Sequence, residues 1–418
     1  MKERKTSHPS WPKRLRTAGW IGLGLLTVYA TLKGIKGGND INVYLHAGSQ
    51  FLTGEDIYAS NPFNRYLYSP LFALLMAPLS ALPWAVARVI WAFLNIGLTY
   101  RCYFIIKGLI HSERWSARPN WFWNLGFIVI SFNAFNHNLI LGQMTVIILW
   151  MTLEGLQQIF FGKEWKGAAL LALGMNIKII PALAIFYVFF KGRYRASFLS
   201  GAFLIGFLIL PSLFTGFQEN MQMHVRWLEE INPSGDRYAW EDNTGCISLN
   251  CILPTYFLEK DPNVTYKVLV DTVIMDLGDS LVWAIQGARL LILLGLLWLI
   301  HSHRKSAATE GLLNEWSLLL LASLLIFPHQ MKYSMLYATP AIVLIWMTWL
   351  EQKRRTTSYW FLSLVLLFAL VTALMGRDII GHRTVDVLDH FRFMGIAILG
   401  FYLSLLLIKR SLEGLPSE

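Results

Sequence analysis

Apolar positions in this chain run in long blocks, and polar and basic residues are confined to the gaps between them. Blocks lie near 18–35, 70–82, 84–106, 121–140, 144–161, 167–190, 197–214, 282–301, 316–331, 333–350, 357–375 and 392–408. A bilayer core of about 30 Å takes roughly 20 residues of helix. The pattern therefore predicts an all-α polytopic membrane protein with about 12 transmembrane helices, a single integral membrane domain over residues 1–418. Two blocks fit less simply. The block at 70–82 is short for a crossing and reads as re-entrant, and that at 167–190 is interrupted by Asn176, Lys178 and Pro181, which predicts a hairpin of two short helices.

Composition agrees with lipid as the main solvent. Of the 418 residues, 55% are hydrophobic and only 15% charged, against about 25% charged in soluble domains. The net charge of +10 does not point to nucleic acid, because the basic residues form short clusters between apolar blocks rather than one patch. They read as topology signals and contacts to anionic lipid. Lys2, Arg4, Lys5, Lys13, Arg14 and Arg16 place the N-terminus inside, followed by a retained first helix over 20–35. With the 70–82 block re-entrant and the 167–190 block a hairpin, the clusters at Lys107/Arg114/Arg118, Lys163/Lys166, Lys191/Arg193/Arg195, His303/Arg304/Lys305, Lys353/Arg354/Arg355 and Lys409/Arg410 all fall inside. The opposite face then collects a first external loop at 36–69, the 133–143 turn, the 176–181 tip, a long external loop at 215–280, the 328–332 turn and residues 376–391. Chemistry is sought on that face.

In the first external loop, apolar residues from Val43 to Leu52 recur at helical spacing, predicting a short helix in the membrane interface, with Asp40 at its N-terminal end. Asp40 is either a helix cap in a wet loop or a carboxylate with a chemical task. The ordered series Asp40, Tyr44, Ala47, Gly54, Tyr58, Tyr66, Tyr68 and Pro70, the hairpin PLSALP, Trp91 with Asn95, Gly142 with Gln143, and Lys178 with Pro181 resembles glycosyltransferase family 87 over most of the chain. Each element alone is weak, and the order carries the resemblance. It implies a GT-C type glycosyltransferase fold and a polyprenyl-phosphate sugar donor, typically carrying mannose, with Asp40 as catalytic base. Two places depart from the family pattern: Cys246-Ile247-Ser248-Leu249-Asn250 in the long loop, and Phe327-Pro328 followed by His329-Gln330-Met331-Lys332-Tyr333.

The resemblance implies an inverting hexosyltransferase that acts on a glycolipid or glycan acceptor at the external face of a bacterial inner membrane. Such a transfer needs one base and stabilisation of a leaving phosphate, which departs without prior protonation, so one carboxylate and one or two cations suffice. The sequence has no Asp-x-Asp and no His/Cys cluster at metal spacing, so no metal and no cofactor is expected. Lys178, a lysine between apolar runs, is the first candidate for the donor phosphate, or else a snorkelling lysine. Lys332 and His329 follow, as donors in a Pro-His-x-x-Lys turn, with an interfacial anchor as the alternative. Tyr44, Tyr66, Tyr68 and Gln143 are the candidate substrate contacts, although aromatic residues gather at interfaces whatever the function. Trp227 and Trp240 share that ambiguity, and Arg65 reads as a solvated loop residue. Cys102 reads as packing, and Cys246 with Cys251 either pair or remain thiols. A transporter or flippase of lipid-linked sugars is the alternative function. Against it stand the lack of a repeat between the two halves and the reading that acidic residues sit in loops rather than within spans.

Overall fold

The computed structural model describes residues 28–29, 32, 36, 38–59, 62–112, 120–231, 245–259, 268, 270–302, 311–351 and 357–412. Most of the expected first helix, Trp240 and the loop tip at 232–244 lie outside them. The described chain is helical, its only β pairing being an isolated antiparallel bridge between Cys246 and Met331. In order the helices are α1 (Asn39–Thr53), α2 (Pro70–Ser80), α3 (Trp84–Ser112), α4 (Asn120–Leu141), α5 (Thr145–Phe160), α6 (Glu164–Ile177), α7 (Ala182–Phe190), α8 (Tyr194–Ile209), α9 (Ser212–Thr215), α10 (Phe217–Glu230), α11 (Leu249–Phe257), α12 (Ser280–Ser302) and α13 (Leu312–Ile326). A 3-10 helix (Lys332–Ala338) leads into α14 (Thr339–Glu351), followed by α15 (Thr357–Leu374), α16 (Arg377–Ile380), α17 (His382–His390) and α18 (Phe393–Leu412).

Five described helical stretches are long and apolar enough to cross a membrane, and a sixth if the 58° bent pair α17–α18 is one span. Other expected crossings, α5 and α13 among them, are shorter apolar helices, as is α2, the block expected to be re-entrant. On α8, α12 and α15, Phe198, Leu291 and Trp360 lie on the outside of the molecule, each more than 60% exposed. Rows of large apolar side chains facing outward on long helices fit hydrocarbon and not water. By contrast α13, leucine on nearly every side, is buried from Leu312 to Leu325 and forms the axis of the packed core.

Two helix pairs meet backbone to backbone across glycine. A Cβ on Gly167 of α6 would lie 2.3 Å from the carbonyl oxygen of Gly155 on α5, and one on Gly48 of α1 would lie 2.8 Å from the backbone of Met76 on α2. Lipid supplies no apolar drive between helices, so such close backbone packing holds them together. The N-terminal ends of α6 and α8 are tied by Glu164 and Arg193, 3.8 Å apart. The chain has therefore reversed direction twice between them, which makes α6–α7 the hairpin that Lys178 and Pro181 predict.

Three local expectations differ from the fold. The first-loop helix is longer than its apolar pattern, and most of its residues from Ile41 to Phe51 are buried, with α2 packed against it. The block at 316–331 is helical only to Ile326. Beyond it Pro328 has no N–H to continue the helix, and the carbonyl of Gln330 accepts from Ile247 N at 2.8 Å instead. Glu154 and Glu315 also lie within α5 and α13, not in loops. Each is neutralised locally: Glu154 accepts from Nε and Nη2 of Arg101 at 2.6 and 2.9 Å, and Glu315 accepts from Lys191 at 3.0 Å and from the Tyr187 hydroxyl at 2.5 Å.

Candidate active site

Asp40 stands in the first turn of α1. The N-cap position is Gly38, held at φ 104 and making no side-chain cap, so Asp40 is not the cap that its position suggested. Gly38 N–H donates to Ile140 O at 2.7 Å, fixing the helix start to the end of α4. The following turn passes through Gly142 at φ 72, where a Cβ would sit 2.8 Å from Ile41 Cγ2. Only glycine tolerates both that conformation and that approach. Trp91 Nε1 donates to the Gly142 carbonyl at 2.9 Å, and Asn138 Nδ2 to Asn95 Oδ1 at 3.1 Å, which seats the same turn on α3.

This places Gln143 over the carboxylate. Its Nε2 donates to Asp40 Oδ2 at 2.7 Å. Its Oε1 accepts from the Tyr44 hydroxyl at 3.2 Å, and the Tyr44 and Tyr68 hydroxyls are 3.0 Å apart. Because Tyr44 donates to Gln143, its own oxygen is left to accept from Tyr68, so the row of donors points toward Asp40. Burial holds the phenols of Tyr44, Tyr66 and Tyr68 well above their ordinary pKa, and they stay protonated donors. Among the described residues Oδ1 of Asp40 has no hydrogen-bond partner.

The charges around Asp40 are cationic. Burial raises its carboxyl above the ordinary carboxylate value, and the Gln143 bond, Lys178 and His329 draw it partly back. Lys178 sits at the hairpin tip between α6 and α7, its ammonium 5.7 Å from the centroid of the Tyr333 ring. Desolvation lowers this lysine to about 8, with Asp40 opposing the shift. His137 stacks on the same Tyr333 ring at 6.3 Å. His329 has φ 56, an uncommon conformation for a residue with a side chain.

The fold thus brings Asp40, Gln143, Lys178 and His329 into one electrostatic neighbourhood. Lys332, at the start of the 3-10 helix, is ion-paired with Asp389 of α17, a partner that no spacing in the sequence announces. Tyr68 is half-buried at the edge of the cluster, whereas Tyr44 and Tyr66 are buried, with Tyr66 donating to the carbonyl of Ser69 at 3.0 Å. Arg65 is exposed and 3.5 Å from Glu230 of α10, and Trp227 Nε1 donates to Leu67 O at 3.3 Å. Cys246 and Cys251 form a disulfide, and Cys102 is buried and free. Sequence reasoning missed Asp389 and also the bond from Ser69 Oγ to Asn176 Oδ1, 2.6 Å, which ties the start of α2 to the hairpin. Among the described residues no group of three His, Cys, Asp or Glu has metal-binding geometry.

A search of curated proteins finds no match, and neither does a search of solved structures. The profile of glycosyltransferase family 87 matches residues 66–328, a span that includes Tyr66, Tyr68, Gln143 and Lys178 and leaves Asp40, Tyr44, His329 and Lys332 outside. With more than half of its length matched and its helices built for lipid, the chain belongs to glycosyltransferase family 87 and is a membrane glycosyltransferase.

Proposed function

We propose that this glycosyltransferase moves a hexose, mannose by the family resemblance, from a polyprenyl-phosphate donor to a lipid-linked or glycan acceptor, with inversion. The observation that carries the reading is the half-buried Asp40 carboxylate, fixed through one oxygen by Gln143 and faced by Lys178 and His329. In the reaction an acceptor hydroxyl attacks the anomeric carbon from the side opposite the phosphate. Its proton passes to Asp40, the bond from carbon to phosphate oxygen breaks, and the electron pair leaves with polyprenyl phosphate. Asp40 activates the nucleophile as it attacks. Lys178, with Lys332 and the donor His329, meets the charge that grows on the leaving phosphate, where positive groups and hydrogen-bond donors lower the barrier most.

Gln143 and Tyr44 serve Asp40: the amide holds one carboxylate oxygen and leaves Oδ1 to take the proton. Tyr68 is the tyrosine best placed to touch substrate, and Tyr66 shapes the loop that carries it. The full chain is read as a GT-C fold of about 12 crossings, one integral membrane domain in a bacterial inner membrane, with the loops at 36–69 and 215–280 external. The Cys246–Cys251 disulfide supports an oxidising compartment for the long loop. Purified protein given radiolabelled mannosyl polyprenyl phosphate and a glycolipid acceptor should release polyprenyl phosphate and label the acceptor. Passage of intact donor across a vesicle membrane without turnover would instead support the transporter reading.

A further inference from the structure

We propose that Asp389 is the resting counter-ion of Lys332, and that this lysine leaves it for the phosphate of the lipid carrier. The inference rests on the reading of the site as a phosphate-lipid glycosyltransferase. The Lys332 ammonium is paired with Asp389 Oδ2, and the two side chains are unequally accessible, at 20% for the lysine and 7% for the carboxylate. The carboxylate is also the fixed member. It lies on the last turn of α17, whose following residues are pinned by His390 Nε2 on Val270 O at 2.8 Å and by Arg392 Nε on Thr255 Oγ1 at 2.8 Å. Lysine, with a compact charge on a flexible stem, is the member that can swing.

The destination is close. Lys332 is followed directly by Tyr333, whose ring carries Lys178 at 5.7 Å and stacks on His137. The donor is a phosphodiester of charge −1, and the leaving monoester approaches −2. A lysine shared between a fixed −1 carboxylate and a phosphate therefore shifts toward the phosphate as the glycosidic bond breaks. Asp389 keeps the empty site from presenting an unpaired, half-buried cation and competes with product for the lysine, which assists release. In this role Asp389 is a positioning residue that acts only through Lys332.

The test is the affinity of the full-length protein in lipid nanodiscs for polyprenyl phosphate itself. Asp389→Asn removes the competing charge and should tighten binding about fivefold, the worth of a partly solvated ion pair, with a steeper salt dependence. Asp389→Glu should stay within about twofold of wild type, and in a Lys332→Gln background Asp389→Asn should have no effect. If Asp389→Asn does not fold, Asp389→Ser asks the same question. Weaker or unchanged affinity in the neutral variant overturns the proposal, because a purely structural aspartate would give that result. Tightening that persists without Lys332 overturns it too. Wild-type protein that binds no polyprenyl phosphate would reject the donor reading, and the counter-ion proposal with it.

Discussion

Asp40→Asn separates catalysis from structure more cleanly than any other substitution in this site. Asparagine has nearly the same size and keeps an oxygen for the Gln143 Nε2 donor now 2.7 Å from Oδ2. The helix start loses little, since Gly38 and not Asp40 occupies the cap. What disappears is a charge near the positive end of α1, worth about 0.3–1 kcal/mol, and that loss is offset because burying the charge was unfavourable. Fold and donor affinity should therefore stay close to wild type. A missing general base lowers transfer by about 100-fold or more, which at 1.36 kcal/mol per decade is at least about 2.7 kcal/mol of transition-state stabilisation. The assay is single-turnover transfer of labelled sugar by purified variant with donor in excess, alongside donor binding and thermal unfolding. Transfer within about threefold of wild type in a folded, donor-binding variant would refute the assignment of Asp40 as base.

Four further outcomes are expected. Turnover needs Asp40 deprotonated and Lys178 protonated, so activity should fall toward acid with a midpoint above the ordinary carboxylate value, and again toward alkali near pH 8. Lys178→Ala should weaken donor binding and slow turnover, while Lys178→Arg, which does not titrate in this range, should abolish the alkaline limb; a limb left in place would assign it elsewhere. Gly142→Ala should cost about 1–2 kcal/mol for the left-handed backbone at φ 72, and should lower transfer more than stability, because Ile41, the neighbour of Asp40, must yield; wild-type turnover would show that this turn does not hold the base. A cysteine introduced at position 235 should react with a reagent that cannot cross the membrane and one at 354 should not, and equal labelling would reverse the proposed orientation.

The sequence by itself determined that this chain lives in lipid, where most of its helices lie, that the 167–190 block breaks at Lys178 and Pro181, and that Asp40 opens a helix. Those features are local: block length, helical period, a proline without an N–H and a glycine at a turn act within a few residues of themselves. The order of the motif residues also carried the family resemblance, although the profile matched to the chain begins only at Tyr66. Tertiary structure alone decided which of these residues meet. Gln143 reaches Asp40 across 103 positions, and Lys332 reaches Asp389 across 57. The burial of α1 against α2, the extended turn after Ile326 and the pairing of Glu154 and Glu315 inside helices were likewise illegible. In hydrocarbon an apolar surface says that a helix is immersed but not which neighbour it touches. That choice falls to close glycine contacts and to hydrogen bonds between buried polar groups, and both depend on residues far apart in the chain.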